Sequence, residues 1–167
     1  MAHQANATRN AIATPSMPTR AAQRASSSTP PFAALPTAPG MARGHVRATL
    51  AGWGLAELGD DAETIASELV TNAVEASAGA PDNTGTLVIR LCLVTDGDIL
   101  TIECWDQAPG VPVLCEASVF AETGRGLAII DSFTRGAWGC QPAIGRAGKC
   151  VWAQIPVHDV AAADSWP

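Results

Sequence analysis

Two spacings of hydrophobic residues run along the chain, and their order predicts its elements. Val46, Leu50, Trp53 and Leu58 recur at near-helical intervals, which predicts a helix over about 41–58, weakened by Gly52, Gly54 and Gly59. Asp60 or Asp61 offers an N-cap for a second helix over about 61–78. Its apolar face is Ile65, Leu69, Ala73 and Ala76, and Gly79 and Pro81 stop it. The period then changes to two. Leu87, Ile89, Leu91 and Leu93 share one face of a strand over 84–95, with Val88, Arg90, Cys92 and Val94 on the other. Asp96-Gly97 is a hairpin signal, and a strand over 98–106 returns with Leu100, Ile102, Cys104 and Asp106 in phase. A loop over 107–121, a helix over 124–133 carrying Leu127, Ile129, Ile130 and Phe133, and short strands over 135–140 and 149–157 complete the pattern. Helix, helix, hairpin, helix, hairpin predicts an α+β domain of two layers, a mostly antiparallel or mixed sheet with helices on one face.

Residues 1–40 break from this pattern. Ala, Ser, Thr and Pro dominate and no periodicity is visible, so the segment is expected to be a disordered tail. Its arginine- and serine-rich, acid-free composition also resembles an organelle transit peptide, although a disordered bacterial N-terminus has the same character. The domain is expected over 41–157, followed by a short tail, 158–167. The 167 residues suffice for one domain.

Charge narrows the function. The first 56 residues carry five arginines and no acid, whereas the remainder carries five basic and sixteen acidic residues. An acidic body argues against nucleic-acid binding, which needs a basic face. No run reaches the length of a membrane-spanning helix, and the first twenty residues lack the apolar stretch of a secretory signal. Five cysteines, an odd number without a CxxC pair, argue for reduced thiols in a cytoplasmic protein rather than a disulfide framework or zinc site.

Three polar groups stand out. Glu68, Asn72 and Glu75 form a stripe on the second helix beside the apolar Leu69 and Ala73. A carboxylate and a carboxamide four residues apart suit Mg²⁺ with its waters and a phosphate, although a solvated helix edge carries the same residues. Asp106 is in phase with the buried face of its strand, where a carboxylate needs hydrogen-bond donors such as an adenine amino group. A turn-initiating aspartate before Gln107-Ala108-Pro109-Gly110 would look the same. Thr123-Gly124-Arg125-Gly126-Leu127, directly before a helix, frees backbone N–H groups toward an anion. Neither the P-loop pattern nor the Rossmann fingerprint is present.

Taken in order, these pieces resemble the GHKL ATPases, the domains of gyrase, heat-shock-chaperone and histidine-kinase type. Glu68-Leu69-Val70-Thr71-Asn72-Ala73-Val74 looks like their N box, Asp106-Gln107-Ala108-Pro109-Gly110 like their first glycine box, and Gly124-Arg125-Gly126-Leu127 like their second. Residues 129–155 are similar to the end of a small actinobacterial branch related to anti-sigma-factor serine/threonine kinases. The resemblance implies a Bergerat-type α/β sandwich that binds ATP and Mg²⁺ between helices and sheet. It implies Asn72 as Mg²⁺ ligand, Glu68 as the catalytic group that orients or deprotonates the attacking group, and Asp106 as acceptor for the adenine amino group. Gly110, Gly124, Arg125, Gly126 and Leu127 would shape the phosphate lid, and Lys149 would approach the nucleotide. It further implies a sigma factor or anti-anti-sigma-type protein as partner, and a homodimer. The alternative is a catalytically inactive nucleotide- or partner-binding module. Ala108 stands where the first glycine box usually carries glycine, and Glu75 where small relatives often carry a basic residue.

Overall fold

The computed structural model describes residues 24–79, 87–110, 125–144 and 147–157. Two short strands, β1 (Ala25–Ser28) and β2 (Phe32–Ala33), precede helix α1 (Ala38–Trp53), a 3₁₀ turn (Ala56–Leu58) and helix α2 (Gly59–Ala78). Strands β3 (Val88–Thr95) and β4 (Ile99–Asp106), helix α3 (Arg125–Thr134), and strands β5 (Trp138–Pro142) and β6 (Lys149–Pro156) follow. The sheet order is β1-β3-β4-β6-β5, with β2 also on β3, and each of these pairings is antiparallel. The expected two-layer α+β sandwich is present.

Alternation decides which side of the sheet meets the helices. Ile89, Leu91 and Leu93 of β3, Leu100, Ile102 and Cys104 of β4, and Val151, Ala153 and Ile155 of β6 are buried in one core. Against them lie Ala42, Val46 and Leu50 of α1, one turn apart, and Ile65, Leu69, Val70 and Ala73 of α2. The small residues let the helices approach closely. Arg47 holds the buried Glu63 through two hydrogen bonds, from Nε to Oε1 at 2.8 Å and from its second guanidinium nitrogen to Oε2 at 2.6 Å, tying α1 to α2. Trp105 lies out of phase, on the other side of the sheet, where its indole N–H donates to Glu103 at 3.0 Å.

The structure differs from the sequence expectations at several points. Residues 24–40 are not an irregular tail: β1 and β2 form an interrupted edge strand on β3, and α1 begins at Ala38. The interruption falls at Pro30 and Pro31, which cannot donate to a ladder. There the Thr29 hydroxyl accepts from Leu91 N–H at 3.0 Å, and Thr29 N–H donates to the Leu91 carbonyl at 2.9 Å. Residues 1–23 and 158–167 lie outside the described part. Leu58, not Asp60 or Asp61, is the N-cap of α2, because the 3₁₀ turn runs directly into it; the two aspartates sit in its first turn, favourable for the helix dipole. The hairpin loop is Asp96–Asp98, with Asp96 Oδ1 accepting from the N–H groups of Asp98 and Ile99. Phe133, expected on the apolar face of α3, is 41% exposed. No helix among the described residues is long and apolar enough to cross a membrane.

Candidate functional site

The stripe on α2 lands at the seam between α2 and α3. Leu69 and Ala73 point into the core, so Glu68 and Asn72, one position earlier on each turn, stand half-buried at its edge. The second residue of α3, Gly126, lies directly over them. A Cβ there would stand 2.8 Å from Glu68 Oε2 and 3.0 Å from Asn72 Oδ1. A side chain at this position would push the ends of Glu68 and Asn72 aside, so glycine lets α3 sit close over them. Asn72 Nδ2 is buried without a hydrogen-bond partner among the described residues, an arrangement that costs free energy unless a ligand supplies an acceptor.

Glu68 is electrostatically primed. Partial burial pushes its carboxyl above the usual glutamate range, and the negative charge of Glu75 pushes it further. Replacing Glu75 by glutamine is therefore expected to move the Glu68 titration midpoint downward, read from its carboxyl carbon by NMR. An unmoved midpoint would show that the two carboxylates do not interact. A raised midpoint means that the folded state holds this proton more tightly than the unfolded state does. The associated stability is present at low pH and is lost as pH rises through the Glu68 midpoint.

A second cluster forms where β4 ends. Asp106 faces the helical layer in phase with Cys104, and only 1% of its side chain is exposed. One oxygen, Oδ1, accepts from Ala108 N–H at 2.9 Å and from Lys149 Nζ at 2.8 Å. The other, Oδ2, is buried and has no partner among the described residues. Lys149 opens β6 directly opposite Asp106, and its ammonium also donates to the Ala108 carbonyl at 3.1 Å. Gly148 adopts φ +107°, and a Cβ there would collide with the Asp106 carbonyl. The backbone at 106–108 is thus gripped by Gly148 and Lys149 together.

Ala108 is buried, and among the described residues the non-glycine positive φ belongs to Arg135, so the alanine at the first glycine-box position carries no backbone strain. Gly110, by contrast, has φ +90°, where glycine is favoured. Leu127 is packed in the core rather than turned to an open site. Gly124 and the side chain of Arg125 fall outside the described residues.

The structure therefore brings Glu68, Asn72 and Gly126 together at one point and Asp106, Ala108, Gly148 and Lys149 at another. Both lie on the helical side of the sheet, and α2 packs across β4 and β6, the strands that carry the second group. Each group ends in one buried, unpartnered polar atom, a donor on Asn72 and an acceptor on Asp106. A separate cavity of about 290 Å³ opens near the β3–β4 hairpin, lined by Arg24, Trp53, Leu55, Thr95 and Gly97; none of the candidate residues line it. Lys149, expected to approach the nucleotide, is paired with Asp106. Its partner is 43 positions away, so only the register of β4 on β6 reveals it.

The four described cysteines are free thiols, and burial pushes that of Cys150 up to about 12, which makes it a poor nucleophile at neutral pH. Among the described residues no group of three or more His, Cys, Asp and Glu side chains is placed to hold a metal. Mg²⁺ is commonly held by one or two protein oxygens together with phosphates and water, and Glu68 and Asn72 provide such a sparse oxygen set.

A sheet covered on one face by helices, with an acid and an amide on one helix and a buried aspartate at a strand end, is the frame of a nucleotide-binding α/β sandwich. The family model of the histidine kinase-like ATPase domain matches residues 32–155, and the chain belongs to that family. The matched region includes β2 and α1, in keeping with their place in the folded domain. No curated protein matches the chain.

Proposed function

We propose that this chain is an ATP- and Mg²⁺-binding regulatory protein of the anti-sigma-factor serine/threonine kinase type, working in the cytoplasm. Its partner would be a sigma factor or an anti-anti-sigma-type protein, and it would act as a homodimer. The observation that carries the reading is the pair of buried, unpartnered polar atoms, Asn72 Nδ2 and Asp106 Oδ2, on the helical side of a histidine kinase-like ATPase domain. Asp106 Oδ2 would accept from the adenine amino group. The Asn72 side chain would meet the phosphate–metal end, its oxygen holding Mg²⁺. The metal would supply charge neutralisation on the phosphates. Glu68, ionised above its raised midpoint, would orient a serine or threonine hydroxyl and accept its proton. Backbone N–H groups at the start of α3 would face the phosphates, assisted by the helix dipole.

Calorimetry with Mg·ATP tests the site, and transfer of labelled γ-phosphate to a serine- or threonine-bearing partner tests the chemistry. The wild type is expected to bind, and Asn72→Ala and Asp106→Asn are each expected to weaken ATP by about tenfold or more. Unchanged affinity in both variants would remove the site. Binding without transfer to any candidate partner would favour a non-catalytic binding module.

A further inference from the structure

Asp106 is held from one side only, and the residue that holds it is unlike anything else in the core. Of the buried side chains among the described residues, Lys149 is the one lysine, 6% exposed. Its ammonium and the Ala108 N–H both donate to the same carboxylate oxygen, Oδ1, at 2.8 and 2.9 Å. The ammonium is anchored in turn on the Ala108 carbonyl at 3.1 Å. Two donors on Oδ1 and none on Oδ2 make the carboxylate asymmetric. Its other oxygen is buried.

We propose that Lys149 is a specificity-determining residue, which clamps Asp106 so that a purine base meets an acceptor and never a donor, and so selects a 6-amino purine over a 6-keto purine. The inference rests on the reading of this site as a nucleotide site and adds to it the residue that sets base choice. An ionised carboxylate only accepts hydrogen bonds, whereas a protonated one carries an O–H that donates. A buried carboxylate without a counter-charge is neutralised by a proton. Lys149 supplies the counter-charge and occupies Oδ1, which leaves Oδ2 as the oxygen offered to a base. An amino group at position 6 donates to Oδ2; a keto oxygen there brings two acceptors face to face. Lys149 acts through Asp106, and is a positioning residue in that sense.

The experiment compares ATP with inosine triphosphate, which carries a keto oxygen at position 6 and a proton on N1, by calorimetry on the full chain. The wild type is expected to prefer ATP by about 100-fold or more. Lys149→Arg, which keeps the cation, is expected to retain most of that preference. Lys149→Gln, which keeps hydrogen-bonding capacity but removes the charge, is expected to reduce it to about tenfold or less. Asp106→Asn gives the sharpest result. With Lys149 and Ala108 N–H pinning the amide oxygen at the Oδ1 position, its NH₂ group replaces Oδ2, and the preference is expected to invert toward the keto base. Thermal melts without nucleotide identify any variant that does not fold. Among the variants that fold, the Lys149→Gln ratio decides the role of the lysine, and the wild-type ratio and the Asp106→Asn inversion decide that of the aspartate. A folded Lys149→Gln variant that keeps the full wild-type preference, equal binding of the two nucleotides by the wild type, or an Asp106→Asn variant that still prefers ATP overturns the proposal while leaving the nucleotide site standing. A wild type that binds neither overturns both.

Discussion

Replacing Gly148 by alanine is expected to destabilise the protein by about 3 kcal/mol or more, one of the largest effects of any single methyl in this fold. Two penalties act together. The backbone at Gly148 has φ +107°, a conformation that residues with a Cβ rarely adopt. The added carbon would also run into the Asp106 carbonyl and crowd the Gln107 Cα, which are backbone atoms and cannot swing aside as a flexible side chain does. Relief requires separating β6 from the end of β4, which breaks the Asp106–Lys149 pairing at the same point. Urea denaturation measures the loss. A Gly148→Ala variant as stable as the wild type would mean that these two backbones do not approach as described.

Removing Asp106 is expected to have an effect of the same order for a different reason. In Asp106→Ala the Lys149 ammonium stays buried without its counter-charge, a loss of about 3–5 kcal/mol when one partner of a buried pair is deleted. The second substitution discriminates between causes. Asp106→Ala combined with Lys149→Met removes both charges, and the double variant is expected to regain much of the stability lost by the single one. Nucleotide binding is expected to stay lost, because the acceptor Oδ2 is gone. A double variant no more stable than Asp106→Ala would show that the ion pair is not what the aspartate contributes to the fold. Restored ATP binding in the double variant would show that Asp106 is not part of the site.

Much of this arrangement was visible in residue spacing alone. The four-residue step from Glu68 to Asn72, beside Leu69 and Ala73, places both at a helix edge, because helical geometry fixes which residues share a face. Strict alternation through Leu100, Ile102 and Cys104 likewise turns Asp106 toward the helices, since a strand has period two. Other features depend on partners remote in the chain. Ala25–Ser28 has little strand propensity, and it becomes a strand because β3 offers a free edge. Lys149 looks like an ordinary lysine before a strand until β6 is set against β4 in register. The tolerance of Ala108 depends on a backbone angle that composition does not reveal. Local periodicity therefore reports the two polar clusters, while the Lys149–Asp106 pair is a property of strand pairing.

The proposed function requires one nucleotide to engage α2 and the end of β4 together. NMR titration of the isotope-labelled full chain with Mg·ATP tests it most directly. The side-chain NH₂ of Asn72 and the backbone amides of Gly126 and Ala108 are expected to shift along a single binding curve, with one shared Kd. Shifts confined to residues such as Trp53, Thr95 and Gly97 around the cavity near the β3–β4 hairpin, or separate curves for Asn72 and Ala108, would contradict the account.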